Sequence, residues 1–507
     1  MKLLARKKLL SLLLCTVLML SMLVCSGTTV LAIKSNDTQK ALTVPQIRVV
    51  TKDGNGVELE KEDGYVDATI SITDTDGSVL NSKVSFKVRG NTTSLSWILK
   101  KPFTFKFSDK TSVLGMSKAK KWALVANAFD PTLLRNFITF NIAKELDITY
   151  TSNQKYVELW VDNSYRGCYT LYEPVQAGKN RVNIDIESNG GKKDFLIEYE
   201  ASRVEDDVTY FTVDGKRFIA SEPEEPTEEQ LSYITDTMTD IINTMKSGNR
   251  EAIAEKIDIE SFAKFYLLND FVKTYDFDMS SVYFYYKNGV LYAGPPWDYD
   301  LSAGNVNSNF ARGRAAEGTD GLFATKNLFS YLCQYDWFYD EVIKQYDMHE
   351  AFFDNVYADG GLMDSLRAQY GAVFDRNFDT ANGGWNIKKW WINISKQPLL
   401  TYQANYDFLK NWYKERNEWL KAYYDEHTKK IVFGDADGNA KVNIEDVTHM
   451  QKLLAELIAD DGSLTERCDI DGNGFISIMD VTALQRDIAE FENNYGIGTI
   501  IKHYFSS

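Results

Sequence analysis

Near its carboxyl end the chain repeats a twelve-residue segment, first from Asp435 to Asp446 and again from Asp469 to Asp480. Positions 1, 3, 5, 9 and 12 of both copies carry oxygen-bearing side chains: Asp435, Asp437, Asn439, Asn443 and Asp446, then Asp469, Asp471, Asn473, Ser477 and Asp480. A calcium ion takes about six to eight oxygen ligands, which such loops supply at these positions and from the position-7 carbonyl. The repeat therefore predicts two bound Ca2+ ions, with Lys441 and Phe475 contributing only backbone carbonyls.

An amphipathic helix is predicted behind each loop. Apolar residues recur there at helical spacing: Val447, Met450, Leu453 and Leu454 after the first loop, and Val481, Leu484 and Ile488 after the second. No helix is predicted ahead of either loop, and position 12 holds Asp, which reaches less far than the Glu of a full helix–loop–helix hand. Solvated turns rich in Asp and Asn are the alternative interpretation.

These features resemble the type I dockerin family, whose members carry a duplicated calcium loop with Asp at position 12 followed by one helix. The resemblance covers roughly residues 430–492 and implies a small all-α domain, calcium-dependent folding and a partner, the cohesin module of a scaffoldin. Ala440 stands where a glycine would ease the turn, which predicts modest strain in the first loop. Ile444-Glu445 and Ile478-Met479 replace the Ser/Thr pairs often used for cohesin recognition, which leaves the cohesin type open.

The first 32 residues have the pattern of a secretory signal peptide. Basic residues come first, an apolar run extends from Leu9 to Cys25, and Ala32 ends a cleavage-like pattern. A membrane anchor is the alternative, although the run is at the short limit for spanning. No later run is long enough to span, so the mature chain is predicted to have no integral membrane segment and to be secreted into a cellulosome or cell-surface assembly.

Composition excludes several classes of function. The formal net charge of −16 disfavours nucleic acid and anionic membrane surfaces as partners. The cysteines beyond the signal peptide, Cys168, Cys333 and Cys468, are too few for a disulfide framework. Of the four histidines only His349 lies well inside the large domain, so a Ser-His-Asp triad or a His-based zinc site is disfavoured. There is no glycine-rich phosphate loop of the Walker or protein-kinase type.

Residues 33–427 are predicted to form one large domain, because no long Gly/Ser/Pro linker interrupts them. Period-two alternation predicts strands at 84–88, 103–107, 156–160 and 195–199. Helices are predicted at 131–146, 227–245 and 259–272, and the Trp-rich segment from residue 385 is predicted to be mainly helical. The fold class is therefore α+β: a large mixed α/β domain, β-rich in its first half and helix-rich in its second, then the small helical domain at 428–495 and a tail at 496–507.

Carboxylates are concentrated near Asp276 and Asp278 and in the Gly/Pro-rich segment that contains Asp298 and Asp300. Asp298 and Asp300 alternate, so in an extended segment both could point the same way, as two magnesium-holding carboxylates would. The alternative is that these side chains only hydrogen-bond their own backbone in a turn.

An ordered set of short segments runs through the large domain: Arg89-Gly-Asn91, Lys100-Lys-Pro-Phe103 with Lys106, Asp130 to Asn136, Glu158 to Glu173 and Gly294 to Asp300. This succession resembles the spore-coat protein H (CotH) kinase family over most of residues 45–425. The resemblance implies an atypical protein kinase-like fold that transfers phosphate from ATP to serine with Mg2+.

The resemblance also implies roles for particular residues. Lys106 and Arg135 would bind ATP, Lys106 by steadying its phosphates, and Glu173 would orient a cation. Asp276 or Asp278 would position the acceptor hydroxyl, and Asp298 with Asp300 would hold Mg2+.

Three functions follow from these interpretations. The first is a dockerin-anchored, CotH-like protein serine kinase acting on a protein phosphoacceptor. The second is a non-catalytic structural or adhesion module of the same assembly. The third is a glycoside hydrolase acting on plant-cell-wall polysaccharide, because a pair of carboxylates is sufficient for that chemistry.

Overall fold

The computed structural model describes residues 42–187, 192–201, 208–307, 316–378, 394–459, 464–491 and 495–505. By its internal contacts the chain divides into two units, residues 1–43 and 44–507, and nearly all described residues belong to the second unit. The predicted signal peptide lies outside the described residues. None of the helices in the described part of the chain is long and apolar enough to cross a membrane.

The first half of the large unit is a sheet that closes on itself. Its strands are β1 (Gln46–Thr51), β2 (Val66–Thr73), β3 (Val79–Val88), β4 (Phe103–Thr111), β5 (Ala119–Val125), β6 (Gln154–Val161) and β7 (Ser164–Tyr172). They are hydrogen-bonded in the order β1-β2-β3-β4-β5-β7-β6, and the parallel pairing of β1 with β6 closes the ring. The strands predicted at 84–88, 103–107 and 156–160 lie within β3, β4 and β6.

Period-two alternation explains why these segments form a closed sheet. Phe86, Phe103, Phe105 and Trp122 are fully buried in its interior, and the residues between them face outward. Burying large aromatic side chains of this kind stabilises the fold by about 1.5–3 kcal/mol each. The outward residues of β3, β4 and β5 are consequently free to carry polar and charged groups.

The second half combines another sheet with helices. The sheet contains β8 (Phe195–Tyr199), β9 (Tyr210–Val213), β10 (Lys216–Glu222), β11 (Val282–Lys287) and β12 (Val290–Ala293), in the order β12-β11-β8-β10-β9. The helices are α1 (Arg135–Glu145), α2 (Glu228–Lys246), α3 (Arg250–Ala254), α4 (Ile259–Val272), α5 (Phe329–Leu332), α6 (Asp336–Tyr357), α7 (Leu362–Phe378) and α8 (Tyr402–His427). These helices share one apolar core with the second sheet.

Local hydrogen bonds set where two of the helices begin. α2 begins as predicted, because the Thr227 hydroxyl accepts from the Gln230 amide and the Gln230 side chain accepts from the Thr227 amide. α1 begins later than the predicted residue 131. The Asp130 carboxylate accepts from the backbone amides of Thr132 and Arg135, and Leu133 has a φ of 62°, which no α-helix contains.

The Trp-rich segment is only partly described. Residues 379–393, which include Trp385, Trp390 and Trp391, lie outside the described residues. Trp412 and Trp419 lie on α8, where Trp412 is buried and donates its indole N–H to the Glu317 carbonyl at 3.0 Å. Trp412 is therefore part of the core of the unit.

The carboxyl-terminal region is small and helical. It contains α9 (Ile444–Leu454), α10 (Leu464–Cys468) and α11 (Ile478–Ile488), which pack around a separate apolar cluster. The short α10 precedes the second loop, where no helix was predicted, and its ends Leu464 and Cys468 are both buried. Two strands flank the region, β13 (Thr428–Val432) and β14 (Ile500–Phe505), and they pair antiparallel. The α+β class is confirmed.

Candidate active site and calcium loops

A cleft of about 560 Å³ lies where the closed sheet meets the second half of the unit. The first half contributes residues 87–93 and 125–127, and the second half contributes residues 275–276, 279–281, 283, 297–298 and 300–301. Small-molecule sites in proteins have volumes of roughly 300–1,000 Å³. The cleft therefore has room for a ligand of nucleotide size.

Carboxylates form one side of this cleft: Glu198, Asp276, Asp298 and Asp300. Asp300 is buried, and this burial, reinforced by Asp298 and Asp276, raises the pKa of its carboxyl well above the usual value. A divalent cation between Asp298 and Asp300 would favour their ionised forms. Magnesium is commonly held by one or two carboxylates, with phosphates and water completing its shell, so this pair fits it.

Three residues of the cleft have a left-handed backbone conformation. Asn127, Ser281 and Asp298 all line it, and their φ angles are 48°, 62° and 65°. This left-handed region is uncommon for residues other than glycine, and such residues cluster at functional sites. The amide of Tyr299 donates to the Asn136 side chain at 2.8 Å, which fixes the chain directly after Asp298.

Arg135 holds the segment behind Asp300 in place. Its guanidinium forms a buried ion pair with Asp130 at 2.7 Å. The Nε and Nη2 atoms donate to the backbone carbonyls of Ser302 and Ala303 at 2.9 and 3.1 Å. All three nitrogens are thus engaged, and Arg135 does not line the cleft. Its contacts support the segment that carries the acidic side of the cleft.

Arg89 is the cation that faces these carboxylates. It lines the cleft and lies over the Trp297 ring, with its guanidinium carbon 5.0 Å from the ring centroid. Burial lowers its pKa, while the nearby Tyr283 and Asp298 act in the opposite direction. Its Nη1 atom is buried and has no hydrogen-bond partner within the described residues. An unsatisfied buried donor of a guanidinium suits an anionic ligand such as phosphate.

Each of the two acidic loops brings three carboxylates together: Asp435, Asp437 and Asp446 in the first loop, and Asp469, Asp471 and Asp480 in the second. Their ligand atoms lie within 4.8 Å of one another, and in the described part of the chain no other group of three carboxylates does so. Asp435 and Asp446 are buried, and burial raises the pKa of Asp435. No ion pair joins Asp435 or Asp446 to a basic residue in the part of the chain that the structure describes, and buried carboxylates of this kind fit a bound calcium ion.

The remaining predicted calcium ligands also make contacts inside the loops. Asn443 and Ser477, at position 9, cap α9 and α11 by accepting from the backbone amides of Glu445 and Met479. At position 5, Asn439 and Asn473 accept from the amides of the position-7 residues Lys441 and Phe475. The carboxylates at positions 1 and 12 of both loops accept further backbone amides, so the loops are ordered around them.

Comparison with known families identifies both parts of the chain. The family model described as CotH kinase protein matches residues 86–420, well over half of the chain. The chain belongs to the CotH kinase family. The type I dockerin domain model matches residues 433–489, so this CotH protein carries a carboxyl-terminal dockerin. No curated protein matches the chain.

The CotH cleft contains some of the predicted site residues. Asp276, Asp298 and Asp300 line it. Asp278, two residues beyond Asp276, does not. Glu173 is also elsewhere: it is buried, forms an ion pair with Arg181 at 2.7 Å and accepts from Asn153.

Lys106 lies outside the cleft as well. Its side chain is exposed on β4 and lines a neighbouring groove. The basic residues that line the cleft itself are Lys61, Lys87, Arg89 and Lys121. Arg89 belongs to the Arg89-Gly-Asn91 segment that carries part of the family resemblance, and that segment could have identified it.

Proposed function

We propose that the CotH domain is an ATP-dependent protein serine kinase. The observation that carries this proposal is the cleft lined by Asp276, Asp298, Asp300 and Arg89, in which the Asp298 carboxylate interacts with the Arg89 guanidinium. Phosphoryl transfer depends mainly on positioning and charge neutralisation, so carboxylates that can hold metal and a cation that can bind phosphate are the groups it needs.

Asp298 and Asp300 would hold Mg2+, which when bound supplies charge neutralisation at the phosphates. Arg89 would contact the phosphate oxygens. Asp276 would accept the proton of the serine hydroxyl as its oxygen bonds to the γ-phosphorus and the bond from that phosphorus to the bridging oxygen of ADP breaks. Arg135 would act as a positioning residue, because it holds the backbone that follows Asp300.

The dockerin would attach the kinase to an extracellular assembly through a cohesin module. Three apolar side chains at loop positions 10 and 11, Ile444, Ile478 and Met479, are exposed. Exposed apolar side chains at corresponding positions of both loops are suited to binding another protein. Secretion is proposed from the basic and apolar pattern of residues 1–32.

The kinase proposal is tested by measuring ATP binding by calorimetry with and without Mg2+, and phosphate incorporation from labelled ATP into the chain and into serine-containing proteins. We expect metal-dependent binding, and incorporation that Asp298→Asn reduces by about a hundredfold or more. Asp67→Asn is the matched control, because Asp67 is an exposed carboxylate on β2 outside the cleft. Absence of both binding and incorporation in the unaltered chain would refute the kinase and leave the non-catalytic module.

The glycoside hydrolase remains the less supported alternative. The carboxylates of the cleft satisfy its minimal chemistry. Release of reducing sugar from plant polysaccharide, lost in Asp298→Asn, would favour it over the kinase.

A further inference from the structure

A second groove, of about 550 Å³, adjoins the cleft, and Lys87 and Lys121 line both. It is named the lysine groove after its basic side chains: Lys87, Lys106, Lys110, Lys118, Lys120, Lys121, Lys179 and Arg181. Two carboxylates, Glu222 and Glu224, are the acidic residues among its described lining. In a chain with a net charge of −16, this local excess of positive charge is the reverse of the overall balance.

Strand pairing in the closed sheet brings some of these lysines close together, which lowers the stability of the sheet. Lys106 of β4 is directly opposite Lys121 of β5. Lys87 of β3 is opposite Thr104, two residues from Lys106, so it lies on the same outward face. Like charges opposed across strands destabilise a sheet. Folding alone does not favour these positions for lysine, which indicates that the charges serve to bind an anion.

The exposed lysines of the groove are available to a ligand. Lys106, Lys110, Lys118, Lys120 and Lys179 are all exposed. Within the described ranges, none of these five forms an ion pair with a carboxylate of the chain. Long exposed ammonium groups without partners are suited to contacts with an extended, flexible polyanion.

Arg181, which also lines the groove, supplies an independent observation. The residue is buried, and its Nη1 atom donates to Glu173 and to the Asn180 carbonyl. Its Nε and Nη2 atoms are buried as well, and they have no hydrogen-bond partner among the residues described. A carboxylate of a ligand would satisfy both donors in the bidentate geometry that guanidinium groups favour.

The groove already borders an acidic segment of its own chain. Glu222 accepts a hydrogen bond from the Ala177 amide at 2.9 Å, and Glu222 and Glu224 both belong to the segment 221–226. Peptide carboxylates are thus accommodated at its edge. The remaining basic side chains extend from there to the mouth of the cleft at Lys121.

We propose that the lysine groove binds the acceptor polypeptide, and that this acceptor is acidic, with carboxylates flanking the serine that enters the cleft. The inference rests on the proposed kinase function and specifies its substrate class. Inside the cleft, the phosphates of a nucleotide would be bound by Arg89 and by the Mg2+ that Asp298 and Asp300 would hold. The lysines beyond the cleft are spread over two strands and two loops.

Binding of fluorescein-labelled peptides to the full-length protein, followed by fluorescence anisotropy, tests the proposal. The probes are a peptide with one serine between runs of glutamate, the same peptide with glutamine in place of glutamate, and one with lysine. We expect the glutamate peptide to bind at least tenfold more tightly than either of the others, and its affinity to fall as salt is raised.

The double variant Lys118→Glu/Lys120→Glu reverses two exposed charges of the groove and is expected to weaken glutamate-peptide binding about tenfold or more. Lys52→Glu/Lys83→Glu is the matched control, because Lys52 in the turn after β1 and Lys83 on β3 are both exposed and line neither groove. Circular dichroism establishes that both variants are folded.

The outcomes separate this inference from the proposed function. If the unaltered chain binds ATP with Mg2+ but binds the three peptides equally, the acidic acceptor is refuted and the kinase stands. If the glutamate peptide is selected and phosphorylated at its serine, both are supported. Equal loss in the groove variant and in the control would show a non-specific charge effect and would overturn the groove.

Discussion

Replacing Arg135 by Met tests whether this residue supports the acidic side of the cleft. The change removes an ion pair with Asp130 and two hydrogen bonds to the carbonyls of Ser302 and Ala303, all within a buried environment. Breaking a buried ion pair by removing one partner costs about 3–5 kcal/mol. Since domains are stable by about 5–15 kcal/mol, the variant is expected to fold with a clearly reduced free energy of unfolding.

Urea-induced unfolding followed by tryptophan fluorescence measures this effect in the full-length protein. All ten tryptophans precede residue 428, so the fluorescence reports on the CotH domain and not on the dockerin. Adding Asp130→Asn to Arg135→Met should restore part of the loss, because it removes the uncompensated carboxylate. In the kinase assay, Arg135→Met should also raise the magnesium concentration needed for half-maximal rate.

Two results would contradict this reasoning. A loss of less than about 1 kcal/mol would show that the buried contacts contribute little, as in an exposed ion pair. Unchanged magnesium dependence in the folded variant would show that Arg135 does not position the segment that follows Asp300.

Three further predictions concern other parts of the molecule. Burial lowers the pKa of Lys100 to about 7, so between pH 7 and the normal lysine pKa the folded protein binds fewer protons than the unfolded chain. As the pH increases from about 7 to 10, the free energy of unfolding of the unaltered protein should therefore rise relative to that of Lys100→Met, measured in parallel urea titrations. Chelation of calcium with EDTA should lower the helical circular dichroism signal and increase hydrogen exchange in α9 and α11 only, and calcium at about a hundred times its Kd should stabilise each loop by about 2.7 kcal/mol. Ala440, with a φ of 62°, corresponds to Gly474 at 91°; Ala440→Gly should tighten calcium binding by no more than about 1 kcal/mol and Gly474→Ala should weaken it, both measured by calorimetry.

Features carried by local spacing could be predicted from the sequence. The twelve-residue repeat specified both carboxylate clusters of the dockerin, and alternation specified half of β3, most of β4 and β6, and all of β8. The helix before the second loop was not predicted, because α10 spans only five residues and buries just its two ends. A pattern so short contains too few apolar positions to be distinguished from a loop.

Contacts between distant segments could not be predicted in the same way. Asp276 and Asp298 line one cleft because the second sheet and the closed sheet meet there. The spacing of residues along the sequence does not show that these two parts of the chain are in contact. Lys106 alternates correctly as an outward residue of β4, but the sequence does not show which neighbouring face it shares. Likewise, Glu173 forms an ion pair with Arg181, and the fold of the loop between them brings these two residues together.

The pairing of β13 with β14 bears on how the two parts of this protein would work together. β13 follows α8 directly, and β14 contacts both β13 and α6, so the peptide chain passes twice between the dockerin and the CotH domain. A single-stranded tether would allow rotation, whereas a doubled crossing restrains it. When the dockerin is bound, the orientation of the cleft relative to the scaffold would then be fixed. The proteins accessible to the cleft would be those that the scaffold carries on that side.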